Sequence, residues 1–122
     1  MEKFIQKLKQ RAKSFYDIAL ERLKNEDYDL AMFNFEQSIQ LLLKSKILEF
    51  GIEFPKTHEI SILLDFLSDK IEKIKELKEK YKNEIENLEE AYISSRYLPL
   101  SFSKEECLKA KKFAEELWKL LS

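Results

Sequence analysis

Apolar residues recur along most of this chain at steps of three and four, the period of an α-helix. From Glu2 to about Lys24 the repeating positions are Phe4, Leu8, Ala12, Phe15, Ala19 and Leu23. They predict a first helix. Asn25-Glu26-Asp27 interrupts the pattern. Asp27 suits an N-cap, because its carboxylate can accept the free amides of the next turn. A second helix then runs to about Phe50, with Tyr28, Ala31, Phe35, Ile39 and Leu42 as its main stripe. Leu41, Leu43, Ile47 and Leu48 widen that stripe until the helix is apolar on most sides. A helix that wide is buried by several neighbours. Gly51 stands where a helix C-cap belongs.

Ile52 to Lys56 reads as a connection, and Thr57 suits the cap of a short third helix. Ile60 occupies the place where a capping box needs Glu or Gln, so no box is expected there. Ile60, Leu63, Leu64 and Leu67 are that helix's apolar positions. A fourth segment spans from Ser68 or Asp69 to about Ser95, with a narrow stripe at Ile71, Ile74, Leu77, Tyr81, Ile85, Leu88 and Tyr92. Lys and Glu cover its other faces, many at i,i+4. Such a stripe suits a bundle edge or a coiled-coil-like seam. Pro99 biases the residue before it towards extended backbone and ends the segment. Ser103 with Glu106 makes a capping box for a last helix, whose buried face is Ala110, Phe113, Ala114, Leu117 and Leu121. The expected architecture is all-α, an antiparallel up-and-down bundle of four to five helices in one domain over residues 1–122.

Composition supports this. One glycine and two prolines among 122 residues leave too few turn residues for an all-β fold. Nine Phe, five Tyr and one Trp supply a core and argue against disorder. Charge is balanced, 22 basic residues against 23 acidic, so the whole chain does not attract nucleic acid. The first helix departs from that balance, with a local excess of +4. Its outer face is either simply solvated or a surface for an acidic partner or RNA. Nineteen of the 22 basic residues are Lys, and a Lys/Glu-rich, Gly-poor chain points to a hyperthermophile source. A single cysteine excludes an intrachain disulfide and suits a reducing cytoplasm. The first residues carry no apolar signal core, and no apolar run reaches membrane-spanning length. A cytoplasmic protein without membrane contact is expected.

Several chemistries are excluded. One glycine cannot build a phosphate-binding loop or a dinucleotide fingerprint. One His and one Cys cannot make a structural zinc site, and no metal or other cofactor is expected. A Cys-His nucleophile would need Cys107 beside His58, and nothing along the chain places them together. Four features do not follow from bundle packing alone. Gln37 lies midway along the most apolar helix, Lys44 follows Leu41-Leu42-Leu43, Thr57-His58 opens the third helix, and Arg96-Tyr97 closes the fourth. Gln37 and Lys44 are either rim residues or part of a site, and His58 is either a helix-start residue bonded to backbone or a base. Arg96 stands out in a chain that prefers Lys, because guanidinium offers a planar fork for carboxylate or phosphate. Together Gln37, Lys44, His58, Arg96 and Tyr97 form either a nucleotide- or partner-binding group or a buried network that fixes the bundle.

The order of these pieces resembles a known family. Ala31-x-x-x-Phe35-Glu36-Gln37 … Lys44, then Gly51 … Phe54-Pro55-Lys56-Thr57-His58-Glu59-Ile60-x-x-Leu63-Leu64, is similar to the HEPN (higher eukaryotes and prokaryotes nucleotide-binding) pattern. There a buried helix with a Glu-Gln step and a lysine leads to a Pro-x-Thr-His turn. Tyr92-Ile93-Ser94-Ser95-Arg96-Tyr97-Leu98-Pro99 is similar to the family's later Arg-Tyr-Pro segment, with Leu98 inserted before the proline. The resemblance covers about residues 12–121.

It implies a helical bundle that forms a homodimer, the binding of a nucleotide, and a two-protein, toxin-antitoxin-like module with a small nucleotidyltransferase. A toxin branch of the family cleaves RNA with an Arg-x4–6-His motif. This chain departs from that branch: His58 comes before Arg96, and no His follows any Arg at four to six residues. A non-catalytic accessory protein is therefore expected. Two other readings rest on the helices alone: a tetratricopeptide-like hairpin over Ala19 to Ile39, and a coiled-coil adaptor built on the fourth segment. A repeat needs several copies to bury its faces, and one is present.

Overall fold

The computed structural model describes residues 1–94 and 100–122, and the described residues hold six helices and no strand. They are α1 (Glu2–Lys24), α2 (Tyr28–Glu49), α3 (Ile60–Ser68), α4 (Lys73–Lys80), α5 (Lys82–Ser94) and α6 (Lys104–Leu121). α2 is the central element, packed against α1, α3, α5 and α6. That matches its apolar circumference: Ala31, Met32, Phe35, Ile39, Leu43 and Ile47 are fully buried.

α1 and α2 form an antiparallel hairpin. Small residues stand at seven-residue steps along it, Ala12 and Ala19 on α1 and Ala31, Ser38 and Ser45 on α2, all fully buried. They let the two backbones approach closely. The Ser38 hydroxyl donates to the Ala12 carbonyl at 2.7 Å, and the Ser45 hydroxyl donates to the Leu42 carbonyl at 2.7 Å. Backbone acceptors thereby remove the penalty of burying both hydroxyls.

Each helix of the hairpin ends in the same way. Gly51 has φ of 75°, its N–H donates to the Leu48 carbonyl at 2.9 Å, and the Ile52 N–H donates to the Ile47 carbonyl at 3.3 Å. This is a Schellman motif. After α1 the same pair of bonds runs from Glu26 to Leu23 and from Asp27 to Arg22, at 3.1 and 2.9 Å, with Glu26 at φ of 61°. Left-handed backbone suits glycine and strains other residues by about 1–2 kcal/mol. A Cβ at Gly51 would meet nothing within 4 Å, so backbone conformation alone sets its requirement. Gly51→Ala is expected to destabilise by about 1 kcal/mol, while Glu26→Gly stabilises by a smaller amount, about 0.5 kcal/mol. Thermal melts of the two variants check the opposite signs.

Three boundaries differ from the sequence reading. Asp27 precedes α2, but its side chain makes no cap bond; it accepts from Arg22 at 3.1 Å. Thr57 caps nothing helical: its hydroxyl accepts the Glu59 N–H at 3.1 Å in a local turn, and α3 starts at Ile60. The long fourth segment is two helices, and it starts later, at Lys73. Tyr81 leaves helical geometry at φ −110° and ψ 28°, and its ring packs against Phe113 of α6 at 5.1 Å. Ile74, Leu77, Tyr81, Ile85 and Leu88 are all buried within this chain. These five positions of the stripe therefore pack within the bundle, as an edge does. The Ser103–Glu106 capping box is present, with bonds of 3.1 and 2.8 Å.

Two ion pairs meeting at Glu49 fasten the open end of the hairpin. Glu49 accepts from Lys9 of α1 and from Lys46 at 3.1 Å. Burial pushes its carboxyl up, but hydrogen bonds from both lysines outweigh that and hold it below its usual value. A depressed carboxyl stabilises the fold above the unfolded pKa of about 4.3 and loses that contribution as pH falls through the folded value. Glu49→Gln is expected to cost about 0.5–1 kcal/mol at neutral pH. The difference from the parent should shrink progressively as pH falls below the unfolded value, which melts over an acid pH series would show.

Candidate functional site

The polar residues of α2 gather around one buried carboxylate. Glu36 is fully buried. The side-chain amide of Gln37 donates to it at 2.8 Å, and that of Gln40, one turn further on, donates to its other oxygen. A carboxylate this far from water persists only when hydrogen-bonded. Lys44 lies two turns along the same helix. Burial lowers its pKa, and the Glu36 charge opposes that shift. Its ammonium sits 5.4 Å from the centre of the Phe54 ring, within cation–π reach.

The connection after Gly51 supplies the other half. It turns back along α2, so that Phe54 meets Lys44. Four residues on, His58 lies flat on Tyr92 of α5, with ring centres 4.2 Å apart and planes 11° from parallel. The His58 Nδ1 is buried and has no hydrogen-bond partner among the described residues. Next to it, the Ser61 amide and hydroxyl both donate to Glu89 of α5, at 3.1 and 3.0 Å. These contacts bring the start of α3 to the end of α5. Arg96 and Tyr97 follow that end closely in sequence, but they lie outside the described residues.

Of the residues singled out in the sequence, Gln37 and Lys44 thus share one cluster with Glu36, and His58 is joined to that side of the fold through the Phe54 connection. Glu36 itself was not singled out as a site residue, and neither was Tyr92. Gln37 and Gln40, one and four residues beyond Glu36, were the available signal. Cys107 stands elsewhere, on α6. Its thiol donates to the Tyr28 carbonyl at 3.3 Å, and burial pushes its pKa up to about 12. A thiol so protonated is a poor nucleophile. Among the described residues no group of three His, Cys, Asp or Glu side chains is placed to hold a metal ion. None of their helices is long and apolar enough to cross a membrane.

A groove of about 550 Å³ runs between α3, α4 and α5. Ser61, Lys75, Lys82, Glu86 and Glu89 are among its lining residues, and the Lys78–Asp65 pair, 2.6 Å apart, crosses it. Gln37, Lys44 and His58 do not line it.

Fold and cluster together define an all-α bundle protein whose central helix carries inward-facing polar residues. The chain belongs to the HEPN family: the HEPN domain model matches residues 5–122. That span includes the Glu36-Gln37 step, Lys44, the Pro-x-Thr-His turn and the Arg96-Tyr97 segment. Searches of curated proteins and of solved structures returned no match.

Proposed function

We propose that this chain is a non-catalytic HEPN protein, the accessory or nucleotide-binding partner of a small nucleotidyltransferase in a two-protein module. The observation that carries the reading is how the polar residues are used. Glu36 takes the amides of Gln37 and Gln40, Lys44 faces Phe54, and His58 is stacked on Tyr92. Such groups hold one another in place, and among the described residues of the cluster no nucleophile stands beside a base. The sequence also lacks the Arg-x4–6-His spacing of the ribonuclease branch.

Purified protein incubated with RNA in the absence of metal is expected to leave the RNA intact. Degradation that His58→Ala abolishes would overturn the proposal. Co-expression with a nucleotidyltransferase encoded beside it is expected to give a stable complex. A homodimer belongs to the same reading, and light scattering at micromolar concentration tests it. Most of the α4–α5 stripe is buried within the chain, which favours another surface for the dimer.

A further inference from the structure

The α1–α2 hairpin has two edges. One is closed: Lys9 reaches Glu49, and Tyr16 packs against Phe35 and Trp118 at 5.9 and 6.4 Å. The opposite edge is left largely open by the described residues, with the Phe54 connection reaching it at Lys44. Helical steps put Phe4, Arg11, Phe15 and Ile18 on one stripe of α1, and Leu30, Gln37, Leu41, Lys44 and Leu48 on one stripe of α2. Measured from the Ser38–Ala12 contact, each stripe is turned about a quarter of the way round its helix, away from Lys9 and Tyr16. The helices are antiparallel, so the two stripes share one side. Exposure agrees with this geometry. Phe4 is 53% exposed, and Ile18 and Leu30 are each 43% exposed. Phe15, Leu41 and Leu48 are half-buried. From Phe4 to Ile18 the face is about 21 Å long.

Its charge has one sign. Arg11, Arg22 and Lys44 are the charged members of the two stripes, Arg22 being paired with Asp27, and neither stripe holds Asp or Glu. The whole chain is close to neutral, so this is a local excess. Arg11 lies at the centre of the face. It is exposed and makes no ion pair among the described residues, whereas Arg22 is bonded to Asp27.

The charge decides between occupants. A second copy docked through the same face would set two positively charged surfaces against each other, and like charges across an interface are costly. Nucleic-acid surfaces draw their affinity from many phosphate contacts, but here apolar residues outnumber the cations, and Lys44 already faces Phe54. A helix with apolar residues at three- and four-residue steps, and a carboxylate facing Arg11, meets both requirements.

We propose that the open α1–α2 face docks an acidic amphipathic helix of another protein, with Arg11 receiving a carboxylate. This goes beyond the transferase reading and stands for any acidic helical partner. The probe is a designed helical peptide of about 20 residues, Leu along one face and Glu flanking it, titrated into the full chain. A matched peptide with Lys in place of Glu is the control. The acidic peptide is expected to bind. Arg11→Glu should weaken it by about tenfold or more, and the same variant should gain affinity for the lysine peptide. Ile18→Asp should weaken the acidic peptide too, while Lys109→Glu on α6 leaves it unchanged. Circular dichroism melts confirm that each variant is folded.

Three results would overturn the proposal. The first is no binding of the acidic peptide, or binding indifferent to Arg11→Glu. The second is an Ile18→Asp variant that turns a dimer into a monomer, which assigns the face to a second copy. The third is Arg11-dependent binding of a single-stranded RNA oligonucleotide without peptide binding, which assigns it to nucleic acid.

Discussion

Phe35→Ala is expected to lower the unfolding free energy by about 3–5 kcal/mol, the range for a large aromatic removed from a packed core. Phe35 is fully buried on the central helix, and its ring meets Tyr16 of α1 edge-on at 5.9 Å. Tyr16 in turn touches Trp118 of α6. Truncation therefore leaves a cavity where three helices meet, and none of them can close it alone. Domains of this size unfold with about 5–15 kcal/mol, so the variant would lose a large share of the total. A drop in melting temperature of about 10–20 °C follows. Phe35→Leu keeps most of the volume and should cost much less. A Phe35→Ala melt within a few degrees of the parent would show that the core is not organised around this ring.

Glu36→Ala is expected to cost about 1–3 kcal/mol, although it removes a charge from the interior. The reason lies in what it leaves behind. The amides of Gln37 and Gln40 lose their acceptor, and Lys44 loses the negative charge that offsets its burial. Glu36→Gln keeps an acceptor oxygen and should fall between the parent and the alanine variant. Paired with Lys44→Ala, the series separates two roles for the cluster. Stability falling in both variants with nucleotide binding unchanged means a network that fixes the bundle. Binding falling while stability holds means a site. Calorimetric unfolding and a nucleotide titration on the same samples supply both readings.

How much of this was legible in the sequence depends on how local the signal is. α1, α2 and α6 show in the three- and four-residue rhythm, because that rhythm is a property of each helix alone. The Ser103–Glu106 box and the Gly51 terminus are equally local, and both are present. The break at Tyr81 is not. No Gly or Pro marks it, and Tyr81 continues the apolar stripe; the contact that accompanies the break is with Phe113, on a different helix. Asp27 has the chemistry of a cap, but Arg22 competes for its carboxylate.

The candidate site was half legible. Gln37 and Lys44 stood out as polar residues in an apolar helix. Glu36 did not, because Glu is almost never fully buried, and burial depends on which side of α2 its neighbours take. The His58–Tyr92 stack joins residues far apart in the chain, and only the antiparallel return of α5 along α3 creates it.

The small-residue seam of the hairpin bears on the order in which the molecule assembles. Three residues join α1 to α2, so bringing the helices together closes a very short loop and sacrifices little chain entropy. Contacts between α6 and α2 must close a loop of most of the chain. Folding is therefore expected to begin with the hairpin, with α6 arriving after the rate-limiting step. Truncations at Ala12 and Ala19 to Gly should slow refolding, whereas Phe113→Ala should mainly speed unfolding. Stopped-flow kinetics with the opposite pattern would place the nucleus elsewhere. An alanine as modest as Ala12, buried in the hairpin seam with its carbonyl bonded to the Ser38 hydroxyl, would then govern how fast the chain folds, while the largest aromatics of the core govern how long it stays folded.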